Sequence, residues 1–108
     1  MQQLNFEKLN IQAHREQEAI RLEMALPGSP LATERFIKRL ANTLDLTSHS
    51  HEWGADRFQA VLEAGDIRCL LCIEWLCDAV WLENAGGEFT NIEQLWQLLQ
   101  LKCQPRGS

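Results

Sequence analysis

The stretch that decides the fold runs from Arg57 to Glu74 and has the sequence RFQAVLEAGDIRCLLCIE. Two apolar segments flank Gly65-Asp66, a Gly-first pair that suits a two-residue type II′ turn. This turn predicts an antiparallel hairpin and fixes its register. The apolar pairs that would face each other on one side are Leu62–Cys69, Ala60–Leu71 and Phe58–Ile73.

Charged residues on the other side of this hairpin support the same register. Glu63 falls opposite Arg68, and Arg57 falls opposite Glu74. Oppositely charged pairs across two strands stabilise a sheet by about 0.2–1 kcal/mol each. A slip of one residue would move the apolar set to the wrong face. We therefore predict that Phe58 faces the core.

A strand and a helix are predicted upstream of the hairpin. Apolar and polar residues alternate between Glu18 and Leu26, which is typical of a half-buried strand. Ser29 and Pro30 then supply an N-cap and a first helical residue. The predicted helix has one apolar stripe at helical spacing, formed by Phe36, Ile37, Leu40, Ala41 and Leu44.

Three further segments lie around the hairpin. Residues 46–53 alternate and predict another strand. Residues 74–84 fit a strand or a helix that stops at Gly86-Gly87, and we favour a strand from Cys77 to Asn84 because it extends the sheet. Thr90 and Glu93 match a capping box that would begin a last helix.

The predicted fold class is α+β, with a small antiparallel sheet of four to five strands and two helices packed on one face. The predicted order is β-α-β-β-β-β-α. We expect a single domain over residues 1–108, with a loosely defined N-terminal segment at 1–17 and a tail at 104–108. The final Gly-Ser of the tail could be native or added.

Composition excludes some classes of function. The net charge of −5 disfavours nucleic acid, although Arg35, Lys38 and Arg39 form a small basic group on one helix face. Residues 1–7 lack the basic start and apolar region of a signal peptide, and no apolar stretch is long enough to span a membrane. We expect a cytoplasmic protein, and this compartment keeps cysteines reduced.

The first candidate site is a metal centre at His49 and His51, with Asp56 as a third ligand. Residues i and i+2 of a regular strand share a face, so two imidazoles could converge on one ion. The alternative is two surface histidines on an edge strand, and we favour it. We expect no cofactor.

Four cysteines form the second candidate site, at positions 69, 72, 77 and 103. Metal and redox Cys-x-x-Cys motifs lie in a turn or at a helix N-terminus. Here Cys69 and Cys72 lie within a predicted strand, which sends their side chains to opposite faces. Buried structural thiols are therefore the better interpretation. The carboxylates of Glu63, Glu74 and Glu83 are also interpreted as structural.

Tryptophans and leucines remain as candidates for binding. The four tryptophans could line a groove for a ligand, with Trp53 beside Arg57, but are more often core. In the last helix, Leu98 and Leu101 lie outside the stripe of Ile92, Leu95, Trp96, Leu99 and Cys103. We expect these two leucines to contact a protein partner or a second copy in a homodimer. The alternative is that the N-terminal segment of the same chain covers them.

The segments His51–Arg57, Leu70-Leu71 and Trp81-Leu82-Glu83 resemble a small bacterial family of unknown function. The resemblance implies no activity. The preferred hypothesis is a small non-catalytic accessory or protein-interaction domain. The alternatives are a metal-binding protein or metal-dependent enzyme using the His-x-His strand, and a ligand-binding domain with a Trp-lined groove.

Overall fold

A computed structural model describes residues 3–6, 9–85 and 91–102 of the chain. Within these residues it contains seven strands and two helices. Their bounds are β1 Gln3–Phe6, β2 Ile11–Arg15, β3 Ala19–Glu23, α1 Pro30–Leu44, β4 Thr47–Trp53, β5 Arg57–Ala64, β6 Ile67–Glu74, β7 Ala79–Asn84 and α2 Ile92–Lys102.

The strands form one antiparallel sheet in the order β1-β2-β3-β7-β6-β5-β4. Strands β1 to β3 form one meander and β4 to β7 form another. The pairing of β3 with β7 joins the two meanders. Helix α1 connects β3, in the middle of the sheet, to β4 at its edge. Both helices pack on the same face and touch each other, so the fold is α+β.

The prediction of four to five strands is wrong, because the sheet has seven. The two missed strands, β1 and β2, lie in the segment that we treated as loosely defined. They have only four and five residues, and the small residue Ala13 fills one inward position of β2. So short an alternation gives a weak period-2 signal. From β3 onward the predicted order is correct.

The predicted hairpin is confirmed. Arg57 faces Glu74 and Phe58 faces Ile73 in the ladder between β5 and β6. Gly65 has φ +57°, a left-handed conformation that glycine adopts without steric cost. Phe58 is fully buried.

The segment that fitted either a strand or a helix contains strand β7, so the favoured interpretation is confirmed. Val80 and Leu82 point into the core, and Trp81 points to the other face. The strand begins later than expected because residues 75–78 form a turn. Cys77 lies in this turn and is exposed. Gly86-Gly87 lies outside the described residues.

The N-cap of α1 is confirmed, since the Ser29 hydroxyl accepts a hydrogen bond from the Ala32 backbone N–H at 3.1 Å. At α2 the described cap is Asn91 instead of Thr90. The Asn91 side-chain oxygen accepts from the Gln94 backbone N–H at 2.9 Å, and the Gln94 side chain accepts from the Asn91 backbone N–H at 3.1 Å. Thr90, Cys103 and the tail at 104–108 lie outside the described residues.

The core lies between the sheet and the two helices. The predicted α1 stripe contributes to it, with Phe36 only half-buried. From α2 the buried side chains are Leu95, Trp96 and Leu99. No described element covers the opposite side of the sheet, which we call the open face. Its central side chains are those of Gln59, Val61, Leu70, Cys72, Trp81 and Glu83.

Candidate functional site

The two histidines of the metal candidate are not brought together. The pairing of β4 with β5 shifts between His49 and Glu52, and Ser50 in this bulge has φ +56°. A bulge inserts one extra residue and so reverses the alternation of side chains beyond it. His49 therefore points to the open face, while His51 points to the helix side.

Each imidazole has its own carboxylate partner. His49 Nε2 lies 2.7 Å from Glu63 Oε1, and His51 Nδ1 lies 3.0 Å from Glu34 Oε2 of helix α1. The third proposed ligand, Asp56, lies 3.9 Å from the Arg57 guanidinium. Among residues 3–6, 9–85 and 91–102, no group of three His, Cys, Asp or Glu side chains could hold a metal ion.

Cys69 and Cys72 lie on opposite faces of β6, as predicted. Cys69 belongs to the core, and burial raises the pKa of its thiol to about 12. Cys72 lies on the open face and is 1% exposed. Burial, followed by the nearby Glu83 carboxylate, raises the pKa of the Cys72 thiol. Neither thiol has the exposure or the lowered pKa that a reactive cysteine needs.

The centre of the open face satisfies its own polar groups. Cys72 Sγ donates to Glu83 Oε1 at 3.2 Å, and Trp81 Nε1 donates to the same oxygen at 3.2 Å. Gln59 Nε2 lies 3.9 Å from Cys72 Sγ. These bonds leave apolar surfaces of the tryptophan and its neighbours facing outward.

The two hairpin carboxylates are paired with arginines, as the register predicted. Arg57 lies 3.5 Å from Glu74, and Arg68 lies 3.7 Å from Glu63. All four side chains are partly exposed, so each pair contributes little to stability. Their complementary charges favour the register that the hairpin adopts.

Two tryptophans form a stack at one end of the sheet. The rings of Trp53 and Trp75 lie 6.3 Å apart between centroids and 12° from parallel. Trp53 also packs on Phe58 with its centroid 4.5 Å away. Trp75 Nε1 donates to the Pro27 carbonyl at 2.9 Å, which holds this ring in place. Because the two rings contact each other, they do not form the walls of a groove.

Most of the exposed large hydrophobic side chains lie at this same end. Among the described residues four are exposed: Leu31 at 60%, Trp53 at 46%, Leu76 at 83% and Leu101 at 67%. Leu76 follows Trp75 directly. Leu31 lies in the first turn of α1, three residues before Glu34, which contacts His51 near the end of β4. We call Leu31, Trp53, Trp75 and Leu76 the tryptophan end.

Charges beside the tryptophan end are mainly acidic. Asp56, Glu74 and Asp78 lie in or next to its two turns, with Arg57 as the only described cation among them. Arg57 lies near both Asp56 and Glu74. Asp78 forms no ion pair with any residue that the structure describes. These four side chains form a rim beside the tryptophan end. Its net charge is −2, from three carboxylates and one guanidinium.

The two leucines proposed on α2 differ in their surroundings. Leu98 is partly buried and packs against the core, whereas Leu101 is exposed. The adjacent Lys102 forms an ion pair with Asp45 at the end of α1. The outward apolar surface of this helix is therefore smaller than the sequence suggested.

The basic group on α1 is exposed as expected. Arg35 and Arg39, with Leu9, Ala32 and Phe36, line a shallow hollow of about 240 Å³. Lys38 is also exposed. Among the described residues, no buried polar side chain points into this hollow, so nothing in that part of the chain selects a ligand.

The tryptophan end and the centre of the open face were not predicted from the sequence. The hairpin register contained the information that places the tryptophan end. Since Arg57 faces Glu74, Trp75 must begin the turn at the end of the sheet where Trp53 ends β4. The centre of the open face is marked by the pairing of Trp81 with Cys72 between β7 and β6.

Comparisons with known proteins give one match. Residues 9–101 match the family described as Protein of unknown function (DUF3630). No curated protein and no solved structure matches the chain. Among the described residues, no helix has the length and hydropathy needed to cross a membrane.

Proposed function

Since the chain belongs to the family described as Protein of unknown function (DUF3630), we propose a function from its own geometry. It is a single, non-catalytic, cytoplasmic domain that binds a partner protein at its tryptophan end. The observation that carries this proposal is the gathering of three of the four exposed large hydrophobic side chains there. The exposed thiol of Cys77 at the same end supports a reducing compartment.

The tryptophan end has the features of a binding surface. Trp53 is held by Phe58 and Trp75, so its ring is already ordered before binding. Ordered aromatic side chains lose little conformational entropy on association, and tryptophan is enriched among the residues that dominate interface energies. Leu31 and Leu76 extend the apolar area on either side.

The negative rim defines the chemistry of the partner. A segment with large apolar side chains and a neighbouring lysine or arginine would place its cation near Asp78 or Asp56. Complementary charges at a rim increase the rate of association and the specificity more than the affinity. A second copy of the chain would bring the same acidic rim to this surface, so a different protein is the better partner.

Helix α2 offers a second, smaller contact. Leu101 is exposed, and Leu98 lies beside it with part of its surface free. Burying one leucine contributes about 1.5–3 kcal/mol, too little to hold a homodimer against the entropy of association. We therefore assign Leu98 and Leu101 to the edge of a contact with a protein partner.

Differential capture tests the main proposal. Wild-type protein, the double variant Trp53→Ser/Leu76→Ser and the control Asn42→Ser, at an exposed position on α1, are each used to capture proteins from an extract of the native host. We expect a partner that binds the wild type and the control directly and is lost with the double variant. Titration of the purified partner should then show affinity reduced by at least about 100-fold, as for loss of a central aromatic anchor.

Equal binding of every captured protein to the wild type and the folded double variant would contradict the proposal. Circular dichroism melting of each variant shows whether it is folded. If the double variant unfolds, the single variant Leu76→Ser replaces it, because Leu76 is exposed in a turn and supports no packing.

A further inference from the structure

The centre of the open face is buried although no described element covers it. Val61 is 9% exposed and Cys72 is 1% exposed, yet neither belongs to the core between the sheet and the helices. Leu70 and Trp81 next to them are half-buried. The polar atoms at the centre bond to each other, through Glu83. The centre of this surface is partly apolar and already desolvated, which lowers the cost of covering it.

The open face is large enough for a specific interface. A dimer that overlaps six of the seven strands, from β2 to β4 across the sheet, spans five intervals of about 4.8 Å, and strands of about 20 Å then give an area of roughly 500 Å² for each copy. Two such faces would bury about 1,000 Å² in total, above the range of most incidental contacts and within that of weak or transient interfaces.

Two pairs of opposite charges on this face meet under a twofold rotation. Across the sheet, a row of facing residues passes through the centre and ends on β2 and β4. The members of this row are His14, Arg21, Trp81, Cys72, Gln59 and Glu52. A neighbouring row, by extension of the same register, contains Glu23, Ala79, Glu74 and Arg57.

Consider a twofold axis that runs parallel to the strands between β6 and β7. It places β2 over β4 of the second copy and β3 over β5 of the second copy, with the rows kept in line. Within one copy His14 lies 2.9 Å from Glu23, and Arg57 lies 3.5 Å from Glu74. Across the axis His14 also faces Glu52 of the second copy, and Glu23 also faces Arg57 of the second copy, so the pairs extend into networks of alternating charge. Each pair occurs twice, because a twofold interface is self-complementary.

We propose that the open face is the interface of a twofold homodimer. Trp81 of each copy lies over Cys72 of the other at its centre, with ion pairs between Glu23 and Arg57 on either side. An axis parallel to the strands keeps the strands of the two copies aligned, within the range of about 30° that packed sheets show, so the rows stay opposite each other. The tryptophan end stays free at the edge of each copy, so the dimer presents two partner-binding surfaces.

Charge reversal tests the proposed interface. Glu23→Arg and Arg57→Glu each bring like charges together, and we expect each to weaken the dimer by at least about tenfold in sedimentation equilibrium. The double variant restores opposite charges in exchanged positions and should return the dimerisation constant to near that of the wild type. Leu101→Gln, on α2, should leave it unchanged.

Three results would overturn the proposal. The first is a wild type that stays monomeric up to about 1 mM, the weak limit of useful association. The second is a double variant that dimerises no better than the weaker single variant. The third is a dimer that is lost with Leu101→Gln. Melting curves of all variants show whether a lost dimer reflects unfolding. If a charge-reversal variant unfolds, Leu70→Glu replaces it, because it places a charge at the centre of the face and should also weaken the dimer.

Discussion

Cys72 and Glu83 are joined across neighbouring strands by a hydrogen bond of 3.2 Å from Sγ to Oε1, on the side of the sheet that no described element covers. The same carboxylate oxygen accepts from the Trp81 indole. The Cys72 thiol and the Trp81 indole therefore both have an acceptor within the sheet, so covering the centre of this face leaves neither donor unsatisfied. This arrangement supports the proposal that the open face is an interface.

Thiol accessibility should follow the placement of the cysteines. In a Cys103→Ser background, we expect one fast-reacting thiol in the native protein, Cys77, because it is exposed in a turn. Cys69 and Cys72 are buried and should react only as the protein unfolds. Titration with a chromogenic disulfide measures both phases. The wild type unfolded without reductant should give four thiols per chain, and a count of two or none would mean disulfides or a bound metal.

Alkaline pH should destabilise the fold through the two buried thiols. Burial raises the pKa of Cys69 to about 12 and also raises the pKa of Cys72, whereas the ordinary value is 9.0. Above pH 9 the unfolded chain loses these protons while the native state keeps them, so the free energy of unfolding decreases as the pH rises. Their contribution is complete below about pH 9 and is lost progressively up to about pH 12, by at most about 1.4 kcal/mol per pH unit for each thiol.

Urea unfolding at pH 8, 9, 10 and 11 measures this dependence. The double variant Cys69→Ala/Cys72→Ala should lose stability less steeply than the wild type. Gln97→Ala, at an exposed position on α2, is the control. Equal slopes for the double variant and the wild type would contradict the assignment.

The hairpin register predicts a strong contrast between two adjacent residues. Phe58→Ala should reduce the free energy of unfolding by about 3–5 kcal/mol, because Phe58 is fully buried opposite Ile73. Gln59→Ala should cost less than about 1 kcal/mol, because Gln59 is half-buried on the open face. Chemical denaturation of both variants measures this, and similar losses at the two positions would show that the register is wrong.

Metal should not affect stability through the histidines. The bulge at Ser50 sends His49 and His51 to opposite faces, so they cannot share an ion. Melting temperatures with zinc, with a chelator and with neither should agree, since only a ligand that prefers the native state raises the melting temperature. A zinc-dependent increase that disappears in His49→Gln/His51→Gln would contradict the bulge geometry.

The sequence predicted elements whose signals agree at several levels. The hairpin is specified by its Gly65-Asp66 turn, its apolar pairs and its two charged pairs. The N-cap of α1 is specified by Ser29 followed by Pro30. At the start of α2 two capping-box patterns overlap, and the predicted N-cap was off by one residue. Thr90 with Glu93 and Asn91 with Gln94 both match a capping box, and the structure uses the second.

Other features depend on tertiary structure. Ser50 has no sequence feature that requires a positive φ, so the bulge that separates the histidines could not be predicted. Leu98 lies outside the main stripe of α2, yet it packs against the core because α2 lies beside α1 on the sheet and contacts both. The two missed strands are too short to show a period by themselves and are stabilised by pairing, β1 with β2 and β2 with β3.

The most direct test of the proposed function uses the four indole N–H signals in a ¹⁵N NMR spectrum of the labelled protein. Trp53 and Trp75 report on the tryptophan end, Trp81 on the open face and Trp96 on the core, and substitution of each by phenylalanine assigns its signal. On addition of the partner purified by differential capture, we predict that the Trp53 and Trp75 signals move while that of Trp96 stays in place. A saturating partner that leaves Trp53 and Trp75 unmoved would contradict the account.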